Sequence, residues 1–171
     1  MSQYNLSLDN QPAFLAEANG EYSLSGLASL EQIGEFLTEK LAEKVVGQRL
    51  SSPGAAREFL VPMLGAATVE KFVMVSLDSQ HNVLKVETLS EGTIDSASVY
   101  PREVVKAAIR NNAAAVVLTH NHPSGEGTPS NADKRITKKL VDALGTIDVR
   151  VLDHLIVAGS DCVSMAERGL I

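Results

Sequence analysis

The chain has 171 residues, 44% hydrophobic and 21% charged, and its 21 acidic against 15 basic side chains give a formal net charge of −6. These are the proportions of a globular domain with a buried core, and the acidity works against a broad electrostatic hold on nucleic acid, whose affinity comes mainly from neutralised phosphates. No apolar run approaches the roughly 20 residues that cross a membrane, Met1-Ser2-Gln3-Tyr4 lacks the basic and apolar start of a signal peptide, and the single cysteine, Cys162, excludes a disulfide framework, so a cytoplasmic protein is expected.

Residues 1–25 carry several Asn, Ser and Gly without sustained periodicity and read as an irregular arm. From Leu27 on, Leu30, Ile33, Leu37, Leu41 and Val45 recur at intervals of three and four, the apolar stripe of a helix that ends at Gly47. Such a stripe suits core packing or a subunit contact, and a homo-oligomer formed through this helix is one expectation about partners. Ser52-Pro53 supplies an N-cap and a proline at the first helical position, opening a helix to about Leu64 whose end Pro62 is expected to distort. Residues 71–77 are apolar on both faces and predict a central strand, 78–82 a turn, and 83–89 a returning strand. Tyr100-Pro101 opens a third helix through Ile109; 113–122 is a buried strand; Gly125, Gly127 and Pro129 make a tight loop; Ser130 caps a helix to about Leu144. Residues 147–152 and 154–158 read as two further strands, with a turn over 159–161. Helices interleaved with strands, without internal repeats, predict one α/β domain with N-terminal helices.

The chemistry concentrates in His120-Asn121-His122-Pro123 and in Asp133. A strand alternates its side chains, so His120 and His122 project from one face while Asn121 points away. Pro123 bars continued pairing and keeps His122 extended. Two imidazoles and one carboxylate leave a fourth position for water, the arrangement of a catalytic zinc site. Asp133 taken alone is explained as the acid of a capping box begun by Ser130; the histidine pair on one face is what asks for a shared ligand. Lys134, Arg135, Lys138 and Lys139 follow on the same helix, a solvated surface that could favour an acidic or phosphorylated substrate. Asn121 and Ser124 are candidates to shape the loop or to supply a hydrogen bond behind the ligands, and His154 reads as a packed or surface histidine whose best functional role is support of a zinc-bound histidine. His81 sits in a turn and carries no such expectation.

His120-x-His122-Pro123, six residues, Ser130, two residues and Asp133 resemble the JAMM motif of the JAB/MPN metalloproteases. The run from His120 to Gly125 with Pro129-Ser130 resembles the RadC-like branch of that superfamily. The resemblance extends over about 55–171, through 70–78, Glu91-Gly-Thr, Pro101-Arg-Glu103, 111–115, Asp153-His-Leu-Ile156 and 164–170. It implies a JAB/MPN-like (cytidine-deaminase-like) fold, a curved mixed sheet flanked by helices over 51–171, preceded by an arm and helix over 1–50. It also implies one Zn2+ held by His120, His122 and Asp133, with Glu70 as general base, Ser130 as the oxyanion-stabilising serine, and a protein or peptide as substrate. Longer RadC-like proteins carry an N-terminal helical region resembling a helix-hairpin-helix nucleic-acid module, and no such hairpin is evident in 1–50.

The chemistry is coherent on its own terms. Zinc lowers the pKa of a bound water to about 7 and polarises a carbonyl, and a carboxylate on the open side must then carry a proton from the water to the leaving amine. Glu70 can do so only if the strand it begins lies beside the ligand strand; Glu58, Glu87 and Glu103 are the fallback bases, and Glu126 is expected to line the cleft. Ser130 can accept a cap bond while its own hydrogen faces an oxyanion. A zinc-dependent amide or isopeptide hydrolase is therefore the leading expectation. The alternatives are a DNA-associated factor, which needs a basic face, and an interaction module without turnover.

Overall fold

The computed structural model describes residues 13–16, 21–92 and 99–171, in two compact units, Met1–Leu37 and Thr38–Ile171. In the first unit β1 (Ala13–Ala16) and β2 (Tyr22–Ser25) pair antiparallel, with Ala13 opposite Ser25. The irregular arm read over 1–25 is corrected for these two segments, which are too short for a period of two to stand out; residues 1–12 and 17–20 lie outside the described residues. Helix α1 (Leu30–Val45) begins in this unit and continues into the second. A reciprocal cap starts it: the Gln32 amide donates to Ser29 Oγ at 3.2 Å, and the Ser29 amide donates to Gln32 Oε1 at 2.9 Å. Gly47, at φ +82°, follows its end.

The second unit is built on a five-stranded sheet in the order β4-β3-β5-β6-β7. Strand β3 is Glu70–Leu77, β4 Val83–Gly92, β5 Ala115–Asn121, β6 Arg150–Ala158 and β7 Asp161–Ser164. All neighbours are antiparallel except β5 and β6, which run parallel. Parallel neighbours need a crossover, and helix α4 (Asn131–Gly145) supplies it. Helix α2 (Pro53–Leu64) starts where the cap predicts, the Ala55 amide donating to Ser52 Oγ at 3.2 Å, and it accommodates Pro62 in its last turn. Helix α3 (Pro101–Arg110) precedes β5.

Strand alternation sorts the core into two layers. Val73, Val75, Leu77, Val117, Leu155 and Val157 pack with Phe59, Leu60, Met63 and Leu64 of α2 and with Val45 of α1. Phe72, Met74, Val116 and Leu118 pack on the other face with Val104, Ala107 and Ala108 of α3 and with Leu140 and Leu144 of α4. Every residue of β5 is buried, as expected of the middle strand of five.

Two strand assignments need correction. The two strands expected over 147–152 and 154–158 are one, β6, with a bulge where Val116 and Val117 pair with Val151 and Asp153. Asp153 lies between the two expected segments, and the strand runs through it because its buried carboxylate is satisfied by the His154 amide at 2.7 Å, Ser164 Oγ at 2.6 Å and the Ala166 amide at 3.0 Å. Strand β7, unmarked by any strong β pattern, covers the edge that β6 would otherwise expose.

Candidate metal centre

Strand β5 ends at Asn121, and His122 lies one residue beyond it, its amide still donating to the Val157 carbonyl at 2.8 Å. The chain then turns, the Gly125 amide reaching the His122 carbonyl at 3.0 Å with Gly125 at φ +78°, a conformation that favours glycine. Helix α4 returns from this loop with a complete capping box. The Asp133 amide donates to Ser130 Oγ at 3.1 Å, and the Ser130 amide donates to Asp133 Oδ2 at 2.7 Å.

The cap aims the carboxylate at both histidines. His120 Nε2 lies 3.3 Å from Asp133 Oδ1, His122 Nε2 lies 3.5 Å from Oδ2, and the two Nε2 atoms are 2.9 Å apart. One ligand atom from each of the three residues falls within 4.8 Å of the others. Tetrahedral zinc with bonds of about 2.0–2.1 Å separates its ligand atoms by about 3.3–3.4 Å, so the spacing fits a small divalent ion with slight opening of the histidine pair.

The proton inventory supports the same reading. His122 Nδ1 is 2.5 Å from the Glu126 carbonyl oxygen, which can only accept, so Nδ1 carries the hydrogen and neutral His122 presents a lone pair at Nε2. His120 Nδ1 faces His154 Nε2 at 2.8 Å, and His154 Nδ1 faces Thr137 Oγ1 at 2.6 Å. Thr137 in turn donates to the Asp133 carbonyl at 2.6 Å. That carbonyl fixes the chain of donors, so His120 donates from Nδ1 and it too presents a lone pair at Nε2. Two facing lone pairs repel unless a cation lies between them, whether a proton or a metal ion.

The electrostatics follow. Burial pulls the Asp133 carboxyl upward, but His120 and His122, which bond to it when protonated at Nε2, and the bond from Ser130 outweigh burial and hold the group well below the ordinary carboxylate range. The Asp133 carboxylate raises the pKa of His122 against the effect of burial, with further help from the Glu126 carbonyl and the charge of Glu70. Burial drives His154 well below the ordinary histidine value, so it is neutral.

Strand β3 lies directly beside the ligand strand, with Phe72 opposite His120. Alternation puts Glu70 and Phe72 on the face of His120, with Glu70 at the height of His122. Glu70 is half-buried and, among the described residues, no hydrogen bond or ion pair engages its carboxylate. Of the fallback carboxylates, Glu87 is held by Arg110 and Asn111 at 2.7 Å each, Glu103 pairs with Lys106, and Glu58 is exposed on α2, which packs against the opposite face. Glu126 is exposed in the loop and accepts from the Thr128 amide at 2.8 Å. Lys134, Arg135, Lys138 and Lys139 are all exposed; as pairs four apart they form two adjacent rows on one flank of α4.

Asn121 has a larger part than loop shaping. Its side chain leaves the metal face and takes three backbone groups around Glu70: the Lys71 amide donates to Oδ1 at 2.8 Å, and Nδ2 donates to the Val69 carbonyl at 3.0 Å and the Ala67 carbonyl at 3.3 Å. Thr137 was not singled out by sequence, because a threonine four residues after Asp133 on a core-facing helix carries no distinguishing signal.

Comparison with known proteins agrees with this picture. A family model described as RadC-like JAB domain matches residues 50–170. A UPF0758 protein of Vibrio campbellii is 50% identical over 144 residues, which cover 84% of this chain and 63% of that protein. A UPF0758 protein of Vibrio vulnificus is 51% identical with the same coverage, so the chain spans about 63% of the length of these relatives. A shorter UPF0758 protein of Vibrio cholerae is 49% identical over 150 residues, 87% of this chain and 95% of its own length. With a mixed α/β fold, a His-His-Asp cluster that could bind a metal, and a family match over most of its length, the chain belongs to the RadC-like JAB domain family.

Proposed function

We propose that this protein is a zinc-dependent hydrolase of peptide or isopeptide bonds. The observation that carries the reading is the convergence of two lone-pair-bearing Nε2 atoms and the Asp133 carboxylate on one point, with the uncommitted Glu70 on the neighbouring strand. His120, His122 and Asp133 would hold the ion, and nitrogen and oxygen donors of this kind suit zinc. When bound, the ion supplies Lewis-acid chemistry, acidifying water and polarising a carbonyl.

The remaining roles belong to the chain. Glu70 takes the proton from the attacking water and delivers it to the leaving amine, which makes it base and then acid in one cycle. Ser130 Oγ accepts the cap bond from Asp133 and keeps its own hydrogen for the developing oxyanion. The cationic rows on α4 begin next to Asp133 and favour a substrate with acidic groups near the scissile bond.

The test is hydrolysis of a panel of fluorogenic peptides and isopeptide-linked conjugates by zinc-loaded protein, with Glu70→Gln as control. The expected result is turnover that Glu70→Gln lowers by about 10²–10⁴-fold without loss of metal. Equal turnover by the Glu70→Gln variant would overturn the assignment of the base.

A further inference from the structure

We infer that His154 and Thr137 form a positioning relay that sets the tautomer of His120 and locks it to the helix bearing Asp133. This rests on the metal-site reading above. The relay runs from His120 on β5 through His154 on β6 to Thr137 on α4, and it closes on the backbone carbonyl of Asp133. It thus joins two ligands that come from different elements of the fold.

Three observations carry it. His120, His154 and Thr137 are 1%, 0% and 1% exposed, so no solvent competes for the three bonds. The Asp133 carbonyl accepts only, which forces the direction of every donor upstream, and the remaining neighbour of Thr137 Oγ1, Met165 Sδ at 3.6 Å, is a weak acceptor. The sheet register places Leu118 opposite His154, which puts the His154 ring on the face shared by His120, while Phe72 meets both rings, near parallel to His120 and edge-on to His154. Reversal of the relay would put the hydrogen of His120 on Nε2, the atom that faces His122 and Asp133. Thr137 therefore acts on the metal site through His154 without touching the ion.

The variants are Thr137→Val, which keeps shape and removes the hydroxyl, and Thr137→Ser, which restores it. Two measurements are made on the full chain. Long-range 1H–15N correlation NMR of the metal-free protein reads the imidazole tautomers, and competition with a chromophoric chelator reads the zinc Kd. The wild type should show His120 and His154 both protonated at Nδ1. Thr137→Val should weaken zinc binding about 10–100-fold, and Thr137→Ser should return it to within about threefold, with urea unfolding of each metal-free variant confirming that it is folded. A zinc-binding wild type with His154 protonated at Nε2, or a folded Thr137→Val that binds zinc as tightly as wild type, would overturn the relay alone. A wild type that binds no zinc would overturn the metal reading and the relay with it.

Discussion

Asn121→Ala should be costly although Asn121 neither faces the metal site nor lies in the apolar core. The side chain is 2% exposed and makes all three of its hydrogen bonds with the backbone of the segment entering β3. Truncation strands the Lys71 amide and the carbonyls of Val69 and Ala67. A net hydrogen bond is worth about 1 kcal/mol, and a buried group left unpaired costs about 1–3 kcal/mol. Ala67, Val69 and Lys71 are half-buried, so water restores part of the loss. The expected destabilisation is about 2–3 kcal/mol, read as a shift of the urea midpoint at unchanged slope. Asn121→Asp should be no milder, because it keeps the acceptor for Lys71 but turns a carboxylate oxygen toward two carbonyls. Hydrolysis should fall further than zinc affinity in Asn121→Ala, since the clamp holds the backbone on both sides of Glu70 and the ligands lie on the other face. A loss under about 0.5 kcal/mol, the range of ordinary surface substitutions, would refute the clamp.

Three further outcomes are expected. Ser130→Ala should cost about 1 kcal/mol by loss of the cap and lower turnover by about 10²-fold or more, whereas Ser130→Asp, which caps without a hydroxyl donor, should remain stable in urea unfolding yet be inactive. Glu87 is held below the ordinary carboxylate range because its bonds to Asn111 and Arg110 outweigh the opposing effect of burial. Its contribution is therefore fully present above the unfolded pKa and is lost as pH falls through the folded one, so Glu87→Gln should be less stable at neutral pH and lose less stability below about pH 4, measured as urea midpoint against pH. Gly65→Ala should destabilise by about 1–3 kcal/mol, because a Cβ there would overlap the Gly159 carbonyl oxygen; a thermal melt equal to wild type would contradict it.

The parts of the fold that were legible in the sequence are those governed by local chemistry. Ser52-Pro53 and Ser130 mark helix starts because capping is decided within three residues, and the core strand around Leu118 is apolar because both its faces are covered. What escaped depends on groups distant in sequence. The continuity of β6 through Asp153 is not legible in the sequence, because the partners of its carboxylate, Ser164 and Ala166, lie 11 and 13 residues away. The spacing of His120, His122 and Asp133 suggested a shared ligand, and the turn at Gly125 with the cap at Ser130 brings them together. Glu70 could not be placed beside them from spacing, since the antiparallel pairing of β3 with β5 spans some 50 residues of chain. Thr137 and the orientation of His154 emerge only from donor and acceptor accounting in three dimensions.

The most direct test of the central claim is metal content per chain by inductively coupled plasma mass spectrometry, on untagged wild type and His122→Ala, each reconstituted with zinc and dialysed. The account predicts about one zinc per chain in the wild type and almost none in a folded His122→Ala variant. A wild type that retains no metal, or a variant that retains as much as the wild type, would contradict it.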